Sequence, residues 1–237
     1  MEGFLLLGFV VGMAHAFEAD HIAAISTLAS DGKATPKRLA FLGASWGMGH
    51  TTTLLLISLP VVLLGVVISD RLAAGMEFAV GIMLVLLGAH VFYKLRRARV
   101  HVHLHEHGDG QRHFHAHSHA GDTAPHNKLP HNHKHGFSPR AYLIGLMHGA
   151  AGSAGLVALA AASTQNAVTT FLYIILFGAG SILGMASLTY AASWPLQMAE
   201  RAADRLLKTV QATLAGVAIT VGIMVIFGAV PVIWAVA

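Results

Sequence analysis

The sequence predicts an all-α integral membrane protein of six transmembrane helices arranged as a 3+3 inverted repeat. Three observations carry that prediction. Only 11% of the 237 residues are charged while 55% are hydrophobic, a balance typical of chains that live in a bilayer. Six apolar stretches reach the roughly 20 residues a helix needs to cross a hydrocarbon core about 30 Å thick. Short motifs of the first half return in the second in the same order. Gly12-Met13-Ala14-His15 matches Gly145-Leu146-Met147-His148, Gly43-Ala44 with Gly49 matches Gly178-Ala179 with Gly184, and Val80-Gly81-Ile82-Met83 matches Val221-Gly222-Ile223-Met224. Three spans per repeat place the halves in opposite orientation, the arrangement of transporters whose sites lie at the repeat interface.

The first stretch covers 4–28. Ala14 to Ala16 has the small-residue pattern of a leader-peptide cleavage site, but Met1-Glu2-Gly3 carries no basic residue and apolar character resumes at Ile22. The expectation is a retained spanning helix. The second stretch, 39–67, is long enough to tilt or break, and Pro60 offers a place to kink. The third covers 72–95. A polar tract at 96–139 follows, and the remaining spans are expected at 140–163, 168–193 and 209–236. The chain therefore divides into a first three-helix repeat at 1–95, a His-rich loop at 96–139 expected to be disordered, and a second three-helix repeat at 140–237.

Basic residues set the topology. Lys33, Lys37 and Arg38 lie in the first loop, Lys94 to Arg140 flank or fill the third, and Arg201, Arg205 and Lys208 lie in the fifth. Only Arg71 of the fifteen falls elsewhere. The odd loops are therefore expected on the cytoplasmic face of the cell inner membrane, with both termini outside. Cysteine is absent, which removes disulfides and thiolate sites, so any metal chemistry must use nitrogen, oxygen or thioether ligands.

Within the first span, His15, Glu18, Asp20 and His21 put four ionisable groups into seven residues. Such groups are costly in a bilayer and mark ion pathways or relays, and a bound cation would compensate their burial. At about 100° per residue, His15, Glu18 and His21 follow one stripe of a straight helix, whereas Asp20 lies about 140° from His15. Either Glu18 joins the two histidines, or the helix distorts so that Asp20 turns inward. The second span contributes Gly47-Met48-Gly49-His50 followed by three threonines, a nitrogen ligand beside hydroxyl donors. Glu77, His148 and Met185, the repeat counterpart of His50, are pathway candidates; Met48 offers another thioether, and Trp46 is assigned to packing. His90, near the end of the third span, is read as a lone hydrogen-bonding histidine. Imidazole with carboxylate suits nickel, cobalt or zinc, and composition does not choose among them.

The stretch His15-Ala16-Phe17-Glu18-Ala19-Asp20-His21 resembles the H-x4-D-H signature of the nickel/cobalt transporter family, within the wider NicO superfamily. Gly47-Met48-Gly49-His50-Thr51 looks like that family's second motif. Gly145 through Gly155 is similar to the small-residue helix of its short, six-span, urease-accessory-type branch. The resemblance implies a metal site at His15, Asp20, His21 and His50, with Ni2+ or Co2+ as transported substrate and no prosthetic group. It also implies a cytosolic metallochaperone or a nickel-enzyme maturation system as partner. The longer members carry eight spans, and their later motifs are not visible here.

Twelve of the seventeen histidines lie in the polar tract, eight of them at His101, His103, His105, His107, His113, His115, His117 and His119. This is a metal-binding composition. Alternation at 101–107 would put the imidazoles on one face if the chain were extended. A loop of this kind can buffer, hand over or sense ions without setting a direction.

A secondary transporter of nickel, with cobalt as second cargo, is the function expected, and uptake is favoured over efflux. No phosphate-binding G-x-x-x-x-G-K-[ST] motif is present, so an ion gradient, the membrane potential or a partner must drive it. Nothing points to nucleic acid; the expected partners are the divalent ion and the lipid bilayer. A zinc transporter and, remotely, an intramembrane zinc hydrolase are the alternatives, the latter without any H-E-x-x-H motif. No enzymatic activity is expected.

Overall fold

The computed structural model describes residues 2–29, 35–97, 100–106, 112–118, 137–150, 166–202 and 204–235. Its described helices are α1 (Glu2–His15), α2 (Ala19–Ala29), α3 (Pro36–Leu64), α4 (Asp70–Arg97), α5 (Pro139–Ala150), α6 (Ala167–Ala202) and α7 (Asp204–Trp234). Four of these helices are long and apolar enough to cross a membrane, or five spans exist if α1 and α2, bent by 54°, count as one. The predicted first span is thus a broken helix rather than a straight one. Of the predicted fourth span only α5 is described, 12 residues long, because 151–165 lie outside the described residues.

Local chemistry sets several helix boundaries. Thr35 is extended before Pro36, which opens α3 where a missing N–H costs nothing. Gly65 closes it in the left-handed region at φ 66°, and the Val66 N–H reaches back to the Pro60 carbonyl at 3.3 Å. Pro60 does not end the helix, which runs on to Leu64. The Asn166 carboxamide oxygen caps α6, accepting from the Val168 N–H at 2.9 Å. Between α1 and α2 the chain turns through hydrogen bonds from Phe17 N–H to the Ala14 carbonyl and from Glu18 N–H to the His15 carbonyl.

The helices pack in crossed pairs: α1 on α6, α5 on α3, α4 on α7, and α3 on α6 at the centre. Small residues allow the close approach that membrane helices need where no hydrophobic force separates lipid from protein. Gly145 and Gly149 of α5 lie against the backbone of Trp46 and His50, and Gly12 of α1 lies against the Phe177 carbonyl of α6. Hydroxyls add hydrogen bonds between helices: Ser181 donates to the Gly12 carbonyl at 3.2 Å, Thr51 to that of Gly178 at 3.1 Å, and Thr53 to that of Leu146 at 2.7 Å. The core clusters around Trp46, Ile25, Leu84 and Met185.

In the polar tract, β1 (Val100–Glu106) and β2 (Arg112–Ser118) pair antiparallel. His101 stands opposite His117, His103 opposite His115, and His105 opposite His113. The extended alternative raised by the alternating sequence is the one this backbone adopts.

Candidate metal site

The break between α1 and α2 places His15 at the last residue of one helix and Asp20 and His21 in the first turn of the next. On a straight helix Asp20 would point away from His15; with the turn at 16–18 the His15 and His21 rings lie 4.4 Å apart. His50, from the middle of α3, completes the group at 5.2 Å from His15 and 5.3 Å from His21. Each of the three offers a ring nitrogen within 4.8 Å of the others, and all are buried.

Carboxylates fix the rings. His15 Nδ1 lies 2.6 Å from Glu18 Oε1, and His21 Nδ1 lies 2.9 Å from Asp20 Oδ1. An ionised carboxylate only accepts, so each ring donates Nδ1–H to its partner and keeps its lone pair on Nε2. This is the arrangement by which outer carboxylates orient metal-binding histidines. His21 Nε2 and His50 Nδ1 are buried with no hydrogen-bond partner among the described residues. An unmet buried nitrogen costs roughly 1–3 kcal/mol, and a divalent cation would remove that cost.

Of the two alternatives posed by the helical wheel, the helix breaks, while Glu18 meets His15 alone and joins neither ligand group among the described residues. Asp20 turns inward as well. Its second oxygen lies 3.0 Å from His148 Nε2 of α5, so Asp20, His21 and His148 form a second group with ligand atoms within 4.8 Å of one another. A cavity of about 430 Å³ opens onto the site between α2, α4 and α7; Glu18, Asp20 and Glu77 line it beside His15 and His21. Exposed Glu77, a pathway candidate, thus stands on the wall of the same cavity.

Met185 is fully buried in the apolar cluster with Trp46 and Ala16. Met48 and His90 are exposed, and His90 joins neither ligand group. Trp46, which the sequence assigned to packing alone, stands 5.3 Å from the His21 ring and 5.4 Å from that of His148 and walls both in. Its apolar setting gave no signal of that contact. Of the tract histidines, positions 101, 103, 105, 113, 115 and 117 lie in the paired strands, while His107 and His119 lie outside the described residues.

A family model described as NicO, high-affinity nickel-transport protein, matches residues 2–236. The chain belongs to the NicO family. As a NicO protein it is a membrane transporter of nickel and not an enzyme. Among curated proteins the NicO chain is similar to the urease accessory protein UreH of Bacillus sp. (strain TB-90), with 34% identity over 207 residues, 83% of this chain and 79% of the relative. No solved structure gives a significant match.

Proposed function

We propose that this nickel transporter works by uptake across the cytoplasmic membrane, with His15, His21 and His50 as the residues that take the ion from the cavity. The observation that carries the reading is the convergence of three buried imidazoles from α1, α2 and α3, two of them with unpartnered nitrogens. A set of imidazoles without thiolate suits nickel, cobalt and zinc alike, and the resemblance to nickel/cobalt transporters makes cobalt the second cargo. Glu18 and Asp20 orient the rings of His15 and His21. Glu77 raises the local cation concentration at the mouth of the cavity.

The relative's name supports uptake. It is called a urease accessory protein, and a nickel transporter serves such a system best by bringing the ion in. An enzyme-maturation system or a cytosolic metallochaperone then receives the ion, and the tract at 96–139 buffers it on the cytoplasmic side, with both termini outside. The crossed pairing of α1 with α6 and of α5 with α3 favours a 3+3 inverted repeat of six spans. In it α1 with α2 forms one span, and α5 belongs to its counterpart.

Sealed vesicles of known orientation test the reading by nickel flux in wild type, His21→Ala and His50→Ala. Inward flux is expected, lost in both variants, with cobalt competing better than zinc. Wild-type flux in both variants would sink the site, outward flux would make the protein an exporter, and stronger competition by zinc would reassign the cargo.

A further inference from the structure

Four histidines are buried at the centre of the bundle, and the group formed by His15, His21 and His50 uses three of them. The fourth, His148, comes from α5 in the second half of the chain. It donates Nε2–H to Asp20 Oδ2, while its Nδ1 is buried with no partner among the described residues. A ring serving only to brace Asp20 gains nothing from an unmet nitrogen, because a Gln or Asn would brace it without that cost. His21 and His148 are also close, with ring centroids 4.3 Å apart.

We infer that the ion occupies two adjoining positions in turn, one held by His15, His21 and His50 and the other by Asp20, His21 and His148, with His21 common to both. This rests on the transport site proposed above and adds a second stage to it. Each stage has two residues on the cavity wall and one behind it: His15 and His21 with His50 for the first, Asp20 and His21 with His148 for the second.

A shared ligand lets the ion change its other partners one at a time without returning to water. His21 faces Asp20 with Nδ1 and presents Nε2 from the far side of the ring, so the ring need not turn. As the ion moves from Nε2 to Nδ1, the Nδ1 proton is released to water in the cavity that His21 lines and Nε2 takes up a proton from the same source, so the imidazole stays neutral. The second position also joins the two halves of the chain, since Asp20 and His21 belong to one and His148 to the other.

The test separates binding from flux. In His148→Gln the amide can still donate to Asp20 but ligates poorly. The purified full chain is expected to bind Ni2+ within about threefold of wild type, while flux in reconstituted vesicles falls at least about tenfold. His50→Gln, which disrupts the first position, is expected to lose about 100-fold in binding and to lose flux as well. Wild-type flux in His148→Gln overturns the second position and leaves the first intact. Equal loss of binding in the two variants also overturns it, in favour of one undivided site, whereas wild-type binding and flux in His50→Gln refute the underlying transport site. If His148→Gln does not yield a monodisperse protein, nickel X-ray absorption on wild type and Asp20→Asn decides. A carboxylate oxygen in the nickel shell that disappears in Asp20→Asn supports the second position, and an unchanged shell overturns it.

Discussion

Replacing Gly149 by alanine should damage nickel binding although residue 149 offers no ligand. A Cβ at Gly149 would stand 2.8 Å from His50 Cα and against the His50 carbonyl as well, whereas ordinary contact begins at 3.4 Å. The two helices must therefore part by at least about 0.6 Å at the level of His50, the difference between those distances, because the carbonyl oxygen is nearer still. Metal–ligand distances tolerate only about 0.2 Å. Overpacking of this kind costs about 1–3 kcal/mol, part of it taken up by moving His50 and His148, which face each other across the α3–α5 contact. The expected result is a loss of about 10- to 100-fold in nickel affinity, measured by equilibrium dialysis of the purified full chain. Gly216→Ala is the control, since a Cβ there meets nothing within 4 Å, and it should bind as wild type. Wild-type affinity in Gly149→Ala would refute the claim that backbone contact at α3 and α5 sets the ligand geometry.

Three further outcomes are expected. Glu18→Gln removes the charge that fixes His15 Nδ1 at 2.6 Å and should weaken nickel binding about tenfold, with little effect on thermal stability because the carboxylate is exposed; a drop in melting temperature without a change in affinity would contradict it. Glu77→Gln should lower nickel flux at limiting concentration, leave the saturated rate unchanged, and reduce the dependence of flux on ionic strength; equal effects at low and saturating nickel would place Glu77 in the transport step instead. Thr51→Val deletes the hydroxyl that donates to the Gly178 carbonyl between α3 and α6 and should destabilise the protein by about 1 kcal/mol in a thermal melt without altering affinity.

Much of this site could be read from the residues. Four ionisable groups in seven apolar-flanked positions marked the place, and the helical wheel showed that a straight helix could not serve both His15 and Asp20, which anticipated the break at 16–18. The break itself was not visible as a span boundary, because apolar composition continues through it. His148 was legible only as the counterpart of His15 in a repeated motif. Its bond to Asp20 spans 128 positions in the chain, and nothing local to either residue encodes it. Trp46 was hidden for a related reason: an indole in an apolar stretch looks like packing until the neighbours across the bundle are known. The long helices α3, α4 and α7 fall close to the predicted stretches, since hydropathy records bilayer contact directly, whereas α6 starts where predicted but runs on past residue 193 to Ala202.

The crossed helix pairing separates two properties that the chain could otherwise have tied together. Because α1 leans on α6 and α5 leans on α3, each half is held by the other through helix faces and not through the segment that joins them. Changing the length or histidine content of the joining segment should therefore leave the packing of the helices, and with it the choice of ion, unaltered.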